Sequence, residues 1–364
     1  MKPADNNLTF LLGANTPSGF VSRFDQLAAP AGGLHTYIIK GGPGCGKSTL
    51  IRKVAAAFAD QPGLETIVCS SDADSLDGLI VPTKKFCIVD GTRPHLLDPA
   101  FPGAVESMVD LTCCWDAGAL ENRREEIIGL AQNITRAHEY CCRYLAAGAA
   151  LLSDSHRLTL ESLNTQKLND YLTRLTGKEL SRKGKGTGRE QVRFMTALTN
   201  KGIVKYTKSA KALAGRIYLI SDEVGAVSRL ILHRMRADAL AGGYDIISCY
   251  CPLSPFDKLE QLFIPALSLG FLTSNRFHNF DLELTPYRII NSARFTHPEP
   301  LKAHKRRMTY NRKAAAEMIS QAHGLMAEAK TLHDELEGYY TAAINFKKVD
   351  ALTENLIAKL QSRA

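Results

Sequence analysis

Tyr37-Ile-Ile-Lys-Gly-Gly-Pro-Gly-Cys-Gly-Lys-Ser-Thr-Leu50 reads as an apolar strand, a glycine-rich turn and the start of a helix. Within it Gly41, Gly42, Pro43, Gly44, Cys45, Gly46, Lys47 and Ser48 fit the spacing G-x-x-x-x-G-K-[ST] of a P-loop. Gly41, Gly44 and Gly46 carry no Cβ, so the backbone can wrap close to an anion. The wrapped N–H groups and the helix N-terminus then offer partial positive charge. Lys47 adds a full charge for the β- and γ-phosphates, and Ser48 offers a hydroxyl to Mg²⁺. The stretch through Thr49 is the candidate nucleotide-binding segment.

Around this stretch the chain has 364 residues, room for two domains of ordinary size. Its composition, 45% hydrophobic and 23% charged, is that of a soluble globular protein. The net charge of +8 permits anionic ligands without demanding them. Nine cysteines with no C-x-x-C pair fit a reducing, cytoplasmic setting. No secretory leader and no run of about 18 apolar residues is apparent, so a membrane partner is not expected.

Before the P-loop, Leu8–Leu12 reads as a strand, Gly13–Gly19 as a turn-rich loop, and a short helix follows to about Ala28. Pro30-Ala-Gly-Gly33 reads as a linker. After it, Ser48–Phe58 reads as an amphipathic helix, with strands at Thr66–Cys69 and Phe86–Asp90. This alternation predicts a largely parallel sheet with helices packed on it. From Ala119 to Leu180 the pattern is helical. Ser181–Arg189, basic and glycine-rich, reads as an exposed linker; as a second phosphate loop it lacks a preceding strand.

Beyond that linker the chain starts again. Phe194–Gly202 echoes Leu11–Gly19, and Leu259–Pro265 echoes Leu76–Pro82, both 183 positions on (202 − 19). Thr273–His278 echoes Asp90–His95 at the same offset, and Tyr218–Gly225 echoes Tyr37–Gly44 at 181 (225 − 44). The expected fold class is therefore α/β: two duplicated P-loop NTPase-type three-layer units, each followed by a helical part. The expected boundaries are 1–181, a linker at 182–191, and a degenerate copy at 192–364. In the ungapped alignment Gly46 becomes Val227, Lys47 becomes Ser228, Ser48 becomes Arg229 and Asp90 becomes Thr273. Asp222 and Glu223 fall on Gly41 and Gly42. One triphosphate site, in the first half, is the consequence.

The segments Gly13–Gly19, Gly41–Thr49, Cys69–Gly78 and Val89–His95, the last continuing through Pro99–Gly103, resemble the bacterial tandem P-loop ATPase-like proteins, mainly of Gram-positive bacteria. The likeness spans nearly the full length and implies an ATP-binding protein. Members often keep a P-loop in the second half as well, and this chain departs from that.

Asp90 ends an apolar strand, the position of an acid that holds Mg²⁺; the plainer use is a turn cap before Gly91. Asp72, Asp74 and Asp77 sit on an acidic loop, where one of them would orient a water or a substrate hydroxyl, or where all three are solvated. Arg93 and His95 recur as Arg276 and His278, so Arg276 is a candidate arginine finger against a packing role. Cys45 lies beside Lys47 at a helix start, a setting that lowers a thiol pKa; the plainer and favoured reading is a small residue that fits the loop. Lys302–Arg307 with Arg312 and Lys313 reads as a solvated basic helix face, with nucleic acid as the less favoured partner. The leading expectation is an Mg²⁺-dependent NTPase using ATP or another nucleoside triphosphate, catalysed by Lys47 and Asp90 with Asp72 or Asp74. The alternatives are a small-molecule or nucleotide kinase, and a non-catalytic nucleotide sensor whose helical parts engage a protein.

Overall fold

The computed structural model describes residues 7–27, 33–180, 186–280 and 284–362, and the fold is α/β. The first unit starts with β1 (Leu8–Phe10), β2 (Gly13–Thr16), β3 (Gly19–Ser22) and β4 (His35–Lys40). Helix α1 (Lys47–Ala57) follows, then β5 (Glu65–Val68), β6 (Leu76–Val81), β7 (Phe86–Asp90) and β8 (Glu106–Asp110). Helices α2 (Ala117–Glu121), α3 (Arg124–Leu160) and α4 (Thr165–Glu179) complete it. The second unit repeats the series: β9 (Glu190–Arg193), β10 (Thr196–Thr199), β11 (Gly202–Lys205), α5 (Thr207–Leu213) and β12 (Arg216–Ser221). It continues with α6 (Ala226–Ala241), β13 (Ile246–Tyr250), β14 (Leu259–Ile264), β15 (Leu269–Ser274), β16 (Arg288–Asn291), α7 (Pro298–Ala343) and α8 (Phe346–Gln361).

The two six-stranded sheets have matched topology. The first runs β1-β5-β6-β7-β4-β8, the second β9-β13-β14-β15-β12-β16 when read from its equivalent edge. In each, one strand, β6 or β14, is antiparallel to both neighbours and the rest run together. Strand β6 escapes the sequence reading because Asp77 and Gly78 interrupt its apolar run; both are buried, with Gly78 opposite Val89. Gly13–Gly19 is not a free loop but belongs to the β2–β3 hairpin, and the short helix expected before Ala28 is one 3₁₀ turn, Phe24–Gln26. Residues 28–32 and 181–185, which hold most of the first expected linker and part of the second, lie outside the described residues.

The expected three-layer units are corrected by the packing. Alternate residues of one sheet serve two different cores. Tyr37, Ile39, Phe86 and Ile88 pack on α1, with Leu50, Ile51 and Val54. Ile38, Cys87 and Val89 face instead Leu219, Leu272 and Phe263 of the second sheet. The far side of that second sheet, with Tyr218, Ile220 and Phe271, packs on α6 through Ile231 and Met235. The molecule is thus a four-layer helix–sheet–sheet–helix sandwich. A strand buried on both faces looks the same in sequence whether a helix or a sheet covers it, which is why the layer count was not legible there.

The units are joined at their edges about a pseudo-twofold axis. Leu11 and Phe194, counterparts at offset 194 − 11 = 183, exchange backbone hydrogen bonds of 2.9 Å in both directions. Such self-pairing of equivalent residues marks an isologous contact. Beside it the buried Arg193 guanidinium donates to Glu65 at 2.5 and 3.3 Å. The 37-residue α3 and 46-residue α7 pack along each other, spanning about 55 and 70 Å at 1.5 Å per residue.

The helical parts are exchanged. Leu168, Leu172 and Leu175 of α4 pack into the core of the second unit. Val349, Leu356 and Leu360 of α8 pack into the core of the first, against α1. Each helical part therefore follows its own unit in sequence and covers the other one in space. Paired bridges, Trp115 with Ile344 and Leu163 with Thr296, anchor the crossings. Among the described residues no helix is long and apolar enough to cross a membrane.

Candidate functional site

Strand β4 ends at Lys40 and α1 begins at Lys47, with Gly46 as its N-cap at φ 89°. Gly44 and Gly46 both adopt positive φ, which only glycine takes without strain. They place a turn between β4 and α1, where the spacing predicts one. Lys47 folds back over it: its Nζ donates to the Gly41 carbonyl at 3.2 Å and to the Gly42 carbonyl at 2.7 Å. It also lies 3.6 Å from Asp90 Oδ2. Ile39 of β4 pairs with Asp90 of β7, so the sheet register brings the acid to the loop. The other Asp90 oxygen accepts from the Thr92 N–H and hydroxyl at 2.9 and 2.6 Å. Asp90 thus performs the turn role with one oxygen and faces the lysine with the other. Ser48 Oγ accepts from the Leu76 N–H at 2.9 Å, tying α1 to β6.

Cys45 is buried inside the turn and its thiol donates to the Gly42 carbonyl at 2.9 Å. Burial pushes its pKa up and outweighs the Lys47 ammonium, which pulls it down. This fits the plainer reading of Cys45, a small residue that packs inside the loop.

The second unit's helices cover the loop. A Cβ on Gly42 would meet the Tyr340 ring at 2.5 Å, and one on Gly44 would meet Thr341 Oγ1 at 2.8 Å and the Glu337 carbonyl at 2.9 Å. Pro43 and Thr49 flank these glycines at intermediate and exposed positions. Val349 and Phe346 of α8 lie nearest Gly46. This close approach of α7 gives Gly42 and Gly44 a packing reason to be glycine in addition to any ligand.

The acidic loop divides in two. Asp72 accepts the Asp74 N–H in a local turn and lies 3.5 Å from Lys330 of α7. Asp74 is exposed and paired with Lys201 of the β10–β11 turn. Both point to the second unit. Asp77, at the start of β6, is instead buried and faces Asp90 and His95; the ligand atoms of the three lie within 4.8 Å of one another. Burial raises the Asp77 pKa to about 6, with His95 opposing and Asp90 adding to the shift. The sequence signal for Asp77 and His95 was their recurrence as Glu260 and His278.

Arg276 pairs with Glu223 of its own unit at 3.3 Å, both exposed, and among the described residues it makes no ion pair with the first unit. Among the described residues, groups that do reach the Gly41–Ser48 loop from the other unit include Glu337, Tyr340, Thr341, Phe346 and Val349. In the basic run of α7, Lys302 pairs with Glu299 and Arg307 with Asp154 of α3.

The equivalent loop of the second unit is built differently. Six residues, 41–46, separate β4 from α1, whereas four, 222–225, separate β12 from α6. The helix starts two residues earlier, so Gly225, at φ 74°, takes the N-cap place of Gly46, and the ungapped match to Val227 is corrected. The Asp222 carboxylate occupies this helix N-terminus. It accepts from the N–H groups of Val224 (3.3 Å), Gly225 (3.1 Å), Val227 (2.8 Å) and Ser228 (2.8 Å). Asp222 is 3% exposed. A side-chain anion sits where a helix N-terminus attracts a phosphate. Comparison with protein-family models, with curated proteins and with solved structures finds no match to this chain.

Proposed function

We propose that the first unit binds a nucleoside triphosphate, ATP in the simplest case, with Mg²⁺ at the Gly41–Ser48 loop and hydrolyses its γ-phosphate. The observation that carries this reading is the meeting of Lys47, at the start of α1, with Asp90, at the end of the strand paired with β4. Loop N–H groups would receive the phosphates, and Lys47 would leave the Gly41 and Gly42 carbonyls for the β- and γ-phosphates. Ser48 Oγ and Asp90 Oδ2 suit Mg²⁺, a hard cation that takes oxygen ligands. When bound, the ion would neutralise phosphate charge. The second unit is then a non-binding copy, since Asp222 already satisfies its helix N-terminus.

The exchanged arm gives the copy a part to play. Glu337–Thr341 and α8 rest on the loop, so phosphates enter only if this arm shifts. A slow basal turnover that rises with a partner bound to the helical parts follows from this arrangement. Calorimetric titration with Mg·ATP tests the reading. One site in wild type, lost in Lys47→Ala, supports it; two sites, or unchanged affinity in Lys47→Ala, rejects it. Phosphate release without added acceptor separates hydrolysis from a kinase, and binding without turnover points to a sensor.

A further inference from the structure

We propose that Asp77, Asp90 and His95 form a binding site for a first-row divalent transition metal, Mn²⁺ or Zn²⁺, that fills without nucleotide. Asp77 and Asp90 lie on the neighbouring antiparallel strands β6 and β7, one step beyond the Gly78–Val89 pair. His95 follows β7 and is held by stacking on Phe24, ring centroids 4.6 Å apart and planes 14° apart. One oxygen of each acid and one imidazole nitrogen lie within 4.8 Å of one another. The side chains are nearly closed to solvent, at 7%, 7% and 4% exposure.

Two observations beyond this clustering point to a cation. First, among the described residues neither ring nitrogen of His95 has a hydrogen-bond partner, although the residue is buried. A buried polar atom left unpaired is costly and calls for a ligand. Second, the duplicated unit shows what the same place does without a metal. There Glu260 replaces Asp77, Thr273 replaces Asp90, His278 replaces His95 and Lys258 replaces Ser75, all at offset 183 (260 − 77). Lys258 Nζ stands 2.6 Å from the Glu260 carboxylate, and His278 Nδ1 stands 3.2 Å from it. Leaving the histidines aside, the copy's Glu260 and Lys258 sum to −1 + 1 = 0, and the first unit's Asp77 and Asp90 to −2. Lys47 answers part of that charge, 3.6 Å from Asp90, but is engaged with two carbonyls. The copy has a built-in ammonium where the first unit gathers two carboxylates and an imidazole.

Two carboxylates with one imidazole suit Mn²⁺ or Zn²⁺; Mg²⁺ and Ca²⁺ favour all-oxygen sets. The test uses the metal alone, on the full chain stripped with chelator. Mn²⁺ is followed by electron paramagnetic resonance and Zn²⁺ by calorimetry, with no nucleotide present. One ion per chain is expected, with Mg²⁺ failing to compete. His95→Gln and Asp77→Asn are each expected to weaken binding by about tenfold or more. Ser75→Lys, which installs the copy's ammonium, is expected to abolish binding while the protein stays folded by circular dichroism. Glu337→Gln, which dismantles the competing His333–Asp334–Glu337 group on α7, is expected to leave binding intact. Absence of saturable binding in wild type, undiminished binding in His95→Gln or Ser75→Lys, or loss in Glu337→Gln overturns the proposal. Because no nucleotide enters the assay, its failure is distinct from failure of the triphosphate reading.

Discussion

The Lys47 ammonium and the Asp90 carboxylate, 43 positions apart (90 − 47), lie 3.6 Å from each other at the foot of α1. Both are largely buried, with side-chain exposures of 13% and 11%. The lysine donates to two loop carbonyls, and among the described residues the lysine is the one cation paired with the Asp90 oxygen that Thr92 does not hold. The proposed Mg·triphosphate would bring this pair its own negative charge and cation. Asp90→Asn is expected to reduce Mg²⁺-dependent turnover about 100-fold or more, while binding of nucleotide without metal falls far less. Turnover and binding measured across an Mg²⁺ titration check this. Equal loss of both would make Asp90 a folding residue alone.

The Asp222 carboxylate should be structural. With four backbone N–H donors, Asp222→Ala is expected to cost about 2–3 kcal/mol of stability. Urea unfolding measures that loss. Mg·ATP stoichiometry is expected to stay at one in this variant, because the copy has no lysine at its loop.

The buried Glu260 sets a pH dependence. Burial pushes its carboxyl up, but His278 and Lys258 outweigh burial and hold it well below the usual carboxylate range. A depressed folded pKa contributes stability that is present above the unfolded value, about 4.3, and is lost as pH falls toward the folded one. Glu260→Gln should therefore cost about 3 kcal/mol near neutrality and progressively less in acid. Unfolding curves at a series of pH values decide; a constant difference would show that the ionised carboxylate is not what stabilises.

Thiol labelling should separate two cysteines 68 positions apart in the chain (113 − 45). Cys113 is exposed, whereas Cys45 is buried inside the loop with its pKa raised. Native protein treated with iodoacetamide is expected to lose Cys113 first, with Cys45 modified only after unfolding. Mass spectrometry of timed digests gives the order, and early Cys45 labelling would mean that the α7–α8 cover opens readily.

The amino-acid sequence by itself determined the α/β class, the duplication and the loop that opens α1. These rest on local signals: apolar runs, glycines with needed φ, and an offset repeated along the chain. It also marked Asp90 and the divergence of the second half from the Gly41–Ser48 pattern. Only the tertiary structure decided that the two sheets pack on each other and that the helical parts are exchanged, so that Tyr340 and Thr341 lie on Gly42 and Gly44. It alone separated Asp77, turned inward to His95, from Asp72 and Asp74, turned to the lysines of the other unit. The reason is physical. A periodic pattern states that a face is covered but carries no mark of what covers it, and residues some 300 positions apart meet through packing that no local propensity encodes.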